Sequence, residues 1–149
     1  MGRARGDVEG VSSPRATLRL EPSEVTGRAR DLPVLCLKGE LDIDAVPEVD
    51  RFLRRRLGPL YQRHTLVIDL GDVTLVDSSF IGFVVHLLGE ERRGHSELVL
   101  AHPVGRVRSH LCMVGLPNLV PMYESLDDAL RAVREASAPL IPPAFGLAG

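Results

Sequence analysis

The sequence predicts an α/β domain: a mixed, mostly parallel sheet of about five strands with about four helices. Three observations predict it. Strand-like apolar runs alternate with segments of helical periodicity from Val34 to Val133, and strands separated by helices are joined by crossovers that set them parallel. At 149 residues the chain has the length of one domain. Its 44% apolar content is that of a packed core, and with 4% aromatics and no Trp that core must be aliphatic.

Each element has its own signal. Residues 1–15, rich in Gly, Arg and Ser and without periodicity, predict a disordered tail. Ala16 to Leu20 alternates as an edge strand with one wet face does, and its pairing with the next strand is expected to be antiparallel. Pro22 to Pro33 reads as a polar connection through Gly27, and Val34 to Lys38 as the second strand. Beyond Gly39-Glu40-Leu41-Asp42-Ile43, Asp44 has the chemistry of an N-cap and Pro47 fits a first helical turn. The helix is expected to reach Leu57, with Val46, Val49, Leu53 and Leu57 inward and Gly58-Pro59 as its stop. Arg51, Arg54, Arg55 and Arg56 fall mostly on its outer side and read as a solvated face, with a docking patch as the alternative.

Thr65 to Leu70 is a continuous apolar run suited to a strand buried on both faces. A helix is expected from about Ser79 to Arg93, with Ile81, Val84, Val85 and Leu88 on one face and Gly94 as its cap. Glu97 to Ala101 predicts the next strand. Val104, Val107, Leu111 and Val114 mark another helix, closed by Gly115 before Pro117. Val120 to Tyr123 predicts a short last strand. Ser125-Leu126-Asp127-Asp128 fits a capping box opening a final helix, with Leu126, Ala129, Leu130 and Val133 on one face. Residues 137–149, rich in Pro and Gly, read as a flexible tail, which leaves residues 16–136 as the folded unit.

Composition excludes several functions. Formal net charge is −2, from 18 basic and 20 acidic residues, whereas a nucleic-acid binder needs a basic footprint. No apolar run approaches the ~18 residues of a membrane span, and the polar start Met1 to Asp7 lacks a signal-peptide segment. A cytoplasmic protein with no membrane contact is therefore expected. Cys36 and Cys112 lie in apolar segments and are expected to be reduced core thiols. The five histidines, His64, His86, His95, His102 and His110, share no ligand spacing, and Asp69 and Asp72 read as turn residues. No metal and no cofactor is expected.

Asp77-Ser78-Ser79 lies between an apolar strand and an apolar helix. A hydroxyl at a helix mouth sits where backbone N–H groups and the macrodipole favour negative charge. A phosphate there would be stabilised by the helix, and its charge of about −1.5 to −2 would repel an acidic or apolar partner surface. The segment suggests a phosphorylation switch and not a catalytic centre. A serine nucleophile needs an adjacent base and an oxyanion hole. His86 is about two turns further along the helix, out of reach of Ser78, and there is no Gly-x-Ser-x-Gly elbow. The chain is not expected to be an enzyme.

The succession of motifs is more specific than any one of them. Gly39-Glu40-Leu41-Asp42, the strand Leu66 to Leu70, Val76-Asp77-Ser78-Ser79 with Gly82, Val114-Gly115-Leu116, and Ser125 to Leu130 follow one another. Together they resemble the STAS domain of bacterial anti-sigma factor antagonists over roughly residues 16–136. The resemblance implies the STAS fold and a protein that binds an anti-sigma factor, often itself a serine kinase of the histidine-kinase-like ATPase type, and so releases a sigma factor. It also implies that the kinase phosphorylates Ser78, with Ser79 as the second candidate, and that a metal-dependent serine phosphatase reverses the mark. Partner contacts are expected from Asp42, Asp44, Asp77, Ser79, Phe80 and Gly82, although Asp42 and Asp44 fit turn and cap roles equally well. A monomer is the simpler expectation for a reversible adaptor.

The chain departs from the family at Phe80, where members usually have Gly. The ring can anchor a partner, shield Ser78 from a kinase, or pack inward. This departure motivates a second reading: a STAS adaptor, or a scaffold subunit of a sensory or transport assembly, that works without phosphorylation.

Overall fold

Side-chain alternation along the second and third strands decides which helix covers which face of the sheet. The computed structural model describes residues 15–25, 28–94 and 96–137. Its strands are β1 (Ala16–Val25), β2 (Arg28–Leu41), β3 (Leu66–Val76), β4 (Leu98–Ala101) and β5 (Met122–Tyr123). They form one sheet in sequence order, with β1 antiparallel to β2 and every other neighbour parallel. The helices α1 (Ala45–Leu57), α2 (Ser78–Gly94), α3 (Gly105–Met113) and α4 (Leu126–Ser137) follow β2, β3, β4 and β5 in turn.

Leu35, Leu37 and Leu41 of β2, with Leu66, Ile68, Leu70, Val73 and Val76 of β3, pack with α1, α2 and α3 in the larger core. Val34, Val67, Val99 and Ala101 point the other way and pack with Ala129, Leu130 and Val133 of α4. This division follows from chirality. Right-handed crossovers that progress in one direction along a sheet leave their helices on one face. The helix after the last strand is then free to cover the other face. The second core buries the apolar stripe of α4, whose Ser125 hydroxyl accepts the Asp128 N–H at 3.1 Å as the capping box requires.

Several expectations are corrected. Pro22 to Pro33 is not a loop: β1 and β2 pair continuously from Ala16↔Leu37 to Val25↔Arg28. The prolines are tolerated because β1 is an edge and β2 begins to pair with β3 only at Val34. β3 does not stop near Leu70 but runs to Val76. It carries two register shifts against β2, between Cys36 and Lys38 and between Gly39 and Glu40. Near the first, the His102 ring lies so close to Gly71 that a Cβ there would meet Nδ1 at 2.5 Å.

The inward stripe of α2 is Phe80, Phe83, Val84 and Leu87, one residue out of phase with expectation, and Val85 is 44% exposed. Both stripes satisfy the same helical spacing, and the one that removes two phenyl rings from water prevails. In α3 only Val107 and Leu111 are buried, while Val104 and Val114 lie outside the helix and are exposed. Gly115 closes α3 in a left-handed conformation, φ 79°.

Cys112 is exposed and not in the core. Cys36 is half-buried, and burial pushes its thiol pKa up, with the Asp69 carboxylate adding to the effect. The α1 arginines 51, 54, 55 and 56 are exposed. Arg54 pairs with Asp50 at 3.0 Å and lies over Tyr61, whose hydroxyl donates to Asp50 at 2.6 Å. Apart from Arg15 and Ser137, the expected tails, like Gly27 and His95, lie outside the described residues.

Candidate functional site

The C-terminal ends of β2 and β3 lie side by side. Leu41 is opposite Val76, and the Asp77 N–H donates to the Leu41 carbonyl at 3.3 Å. Each strand then turns directly into a helix, and an aspartate makes each turn. Asp42 Oδ1 accepts the N–H groups of Asp44 and Ala45 at 3.1 and 3.0 Å, and its carbonyl accepts that of Val46 at 3.2 Å. Asp77 Oδ1 accepts the N–H groups of Ser79 and Phe80 at 2.8 and 3.4 Å, and its carbonyl accepts that of Ile81 at 3.2 Å. Short acidic side chains do this well because they reach back to the orphan donors of the first turn.

The cap of α1 is therefore Asp42, not Asp44. Asp44 already has helical φ and ψ, makes no side-chain cap bond and is exposed. The two candidate roles for this pair thus separate: Asp42 makes the turn, and Asp44 presents its carboxylate to solvent.

The expected site residues converge around this double mouth. Ser78 is exposed in the first turn of α2, Ser79 and Asp77 are half-buried, and Gly82 is exposed one turn further on. Phe80 does not belong to the contact surface. Its ring is 1% exposed and sits in the larger core, so it packs inward and offers nothing to a partner. Beyond it, as far as Gly89, the exposed residues of α2 are Gly82, Val85, His86 and Gly89. Sequence reasoning missed Ile43, which is 69% exposed between the two acidic residues of the α1 mouth. A lone apolar residue in a polar loop was the available signal.

The N–H groups of Ser79, Phe80 and Ile81 are already taken by Asp77. Glu40, Asp42, Asp44 and Asp77 lie at the ends of β2 and β3 and the starts of α1 and α2, and Arg15 is paired with Glu48. An open depression lined by Arg15, Lys38, Gly39, Glu40 and Asp72 is of mixed charge.

Asp69 serves the β3 irregularity, where its Oδ1 accepts the Gly71 N–H at 3.0 Å. Among the described residues, no three His, Cys, Asp or Glu side chains come together as a metal site would need, and no helix is long and apolar enough to cross a membrane. Each mouth is closed by an aspartate cap, and at the second the Ser78 hydroxyl is exposed.

Residues 24–121 match the family described as Mlab, STAS domain. No curated protein matches the chain. Among solved structures, it is similar to an anti-sigma factor antagonist from Mycobacterium paratuberculosis, at 24% identity and a TM-score of 0.56, covering 83% of this chain and 98% of that one. It is likewise similar to the Bacillus cell fate determinant SpoIIAA in its phosphorylated form, at 24% identity and a TM-score of 0.53, covering 79% of this chain and all of that one. Part of the murine anion transporter Slc26a9 also superimposes, at 14% identity and a TM-score of 0.63, covering 84% of this chain and 23% of that one. With the family matched over 98 of 149 residues and the five-stranded sheet in place, the chain belongs to the STAS domain family.

Proposed function

We propose that this chain is an anti-sigma factor antagonist: it binds an anti-sigma factor, thereby releases a sigma factor, and is turned off by phosphate on Ser78. The observation that carries this reading is the exposed Ser78 hydroxyl directly beyond the Asp77 cap, at the point where the two strand-to-helix turns meet. The likeness to antagonist structures supports it at the level of the fold. Asp42, Asp44, Asp77, Ser79 and Gly82 are the proposed contact residues, with Phe80 supporting them from the core. Ser79 is the secondary phosphorylation candidate, weakened by its half-burial.

The proposed partner is a serine kinase of the histidine-kinase-like ATPase type, opposed by a serine phosphatase. The protein acts stoichiometrically in the cytoplasm, without catalysis of its own, through the unit of residues 16–136. A dianion added to an acidic docking surface opposes any partner built to receive that surface.

The test is capture of partners on immobilised wild type, Ser78→Ala and Ser78→Asp. Wild type and Ser78→Ala should retain an anti-sigma factor, and Ser78→Asp should bind it at least tenfold more weakly, about 1.4 kcal/mol. Equal binding by Ser78→Asp would sink the switch. A second reading, a STAS subunit of a sensory or transport assembly that works without phosphorylation, is favoured by the likeness to part of an anion transporter. It expects an integral membrane partner and no phosphate on Ser78 in cells.

A further inference from the structure

We propose that the outer edge of β1 joins two copies of this chain, each pairing its β1 antiparallel to the other's about a two-fold axis at Leu18. The sequence alone favours a monomer, and this open edge is what the structure adds.

β1 lies at the margin of the sheet, and among the described residues no strand pairs with its outer side. The register tells which groups face outward. Lys38 donates its N–H to the Arg15 carbonyl at 2.9 Å, and Ala16 lies opposite Leu37. Opposed residues of an antiparallel pair alternate between bonded and unbonded. Thr17, Arg19 and Glu21 therefore bond to β2, while Ala16, Leu18 and Leu20 turn their N–H and C=O groups outward. Pro22 falls in the outward set and has no N–H, so it ends the bonding edge. Pro33 of β2, opposite Leu20, fits the same alternation, since no bond is asked of it there.

An unpaired edge of this kind is a template for another chain. The side chains favour a second copy. Ala16 and Leu18 pack with the larger core, and Leu20, on the same face, is left 53% exposed. On the other face Thr17 and Arg19 are exposed, and Arg19 pairs with Glu21.

Only one two-fold register suits these residues. An axis at Thr17 sets Arg15 opposite Arg19 of the second copy, and an axis at Arg19 sets two arginines opposite each other, both destabilising. An axis at Leu20 puts Pro22 opposite Leu18, where a donor is needed. An axis at Leu18 matches residues 16–20 of both copies without Pro22. It forms about six N–H···O bonds, two at Leu18 opposite Leu18 and two at each pairing of Ala16 with Leu20. It also lays Leu20 beside Ala16 of the second copy and sets Arg15 opposite Glu21 at both ends, a favourable pair. The contact is isologous, as closed dimers require. The ladder uses neither helix mouth, so each copy keeps its Ser78 hydroxyl exposed.

Sedimentation equilibrium from about 10 μM to about 1 mM should show a monomer–dimer equilibrium. Amide exchange followed by NMR should slow at Leu18 and Leu20 as concentration rises, and stay constant at Thr17 and Arg19. Leu20→Pro is acceptable at an edge position whose N–H faces away from β2. It should weaken the dimer at least tenfold, with circular dichroism unchanged. Glu21→Arg, which sets like charges opposite each other, should weaken it about threefold or more. A monomer throughout the range would overturn the proposal, and protection of Leu18 and Leu20 in that monomer would show that the chain covers its own edge. A dimer unmoved by Leu20→Pro would overturn it by placing the contact elsewhere. A dimer sensitive to Leu20→Pro but not to Glu21→Arg would overturn the register. Neither phosphate nor an anti-sigma factor enters these measurements, so their failure is distinct from failure of the proposed function.

Discussion

At the mouth of α1 the chain runs Asp42-Ile43-Asp44-Ala45, and at the mouth of α2 it runs Asp77-Ser78-Ser79-Phe80. Position by position the two are built alike. An aspartate caps each helix through the same pair of backbone N–H groups. The fourth residue of each is buried beneath the turn, Ala45 fully and Phe80 almost fully. The residue after each cap faces solvent. The difference lies in what is exposed. The α1 mouth exposes the Asp44 carboxyl and the apolar Ile43, while the α2 mouth exposes the Ser78 hydroxyl. On the proposed reading, a phosphate on Ser78 would change the charge of the second mouth alone and leave the first as it is.

The comparison can be broken at each of its three levels. The largest effect belongs to the buried pair. Phe80→Ala should destabilise the protein by about 3–5 kcal/mol in urea unfolding, whereas Ala45→Gly should lose only about 1 kcal/mol. A small loss for Phe80→Ala would mean that the ring does not hold the α2 mouth in place. Next come the caps. Asp42→Ala and Asp77→Ala should each lose about 1 kcal/mol, and the Asn variants much less. Clearly unequal losses would show that the two turns are not equivalent supports. The smallest effect belongs to the exposed pair. Ser78→Ala and Ile43→Ala should change stability by less than about 0.5 kcal/mol, so that any loss of partner binding in Ile43→Ala reports contact and not folding.

What the sequence disclosed and what it hid can be traced to particular residues. Periodicity identified all four helices because each buries an apolar stripe, but it could not fix the phase of α2. Phe80-Ile81 and Val84-Val85 offer two stripes at one spacing, and only packing selects between them. Ser78 was legible as a helix-mouth hydroxyl because Asp77 precedes it. The identity of the α1 cap was not, because Asp42 and Asp44 are the same residue type two positions apart and only backbone geometry tells them apart. The antiparallel pairing of β1 and β2 was expected, but its length was hidden by Pro22 and Pro33, residues that a paired edge ribbon accommodates and an isolated window does not. The continuation of β3 was hidden in the same way by Gly71, Asp72 and Thr74, which lie where the strand is irregular and only partly covered.

β3 outruns its neighbour. Its last partner in β4 is opposite Asp69, yet it continues to Val76 before turning at Asp77, a run of about 20 Å. The double mouth is thus carried on a two-stranded prow, braced by α1 and α2 and set apart from β4, β5 and α4. Substitutions on β5 and α4, which pack on the opposite face of the sheet, should therefore alter how firmly the domain is held together more than they alter the geometry of its prow.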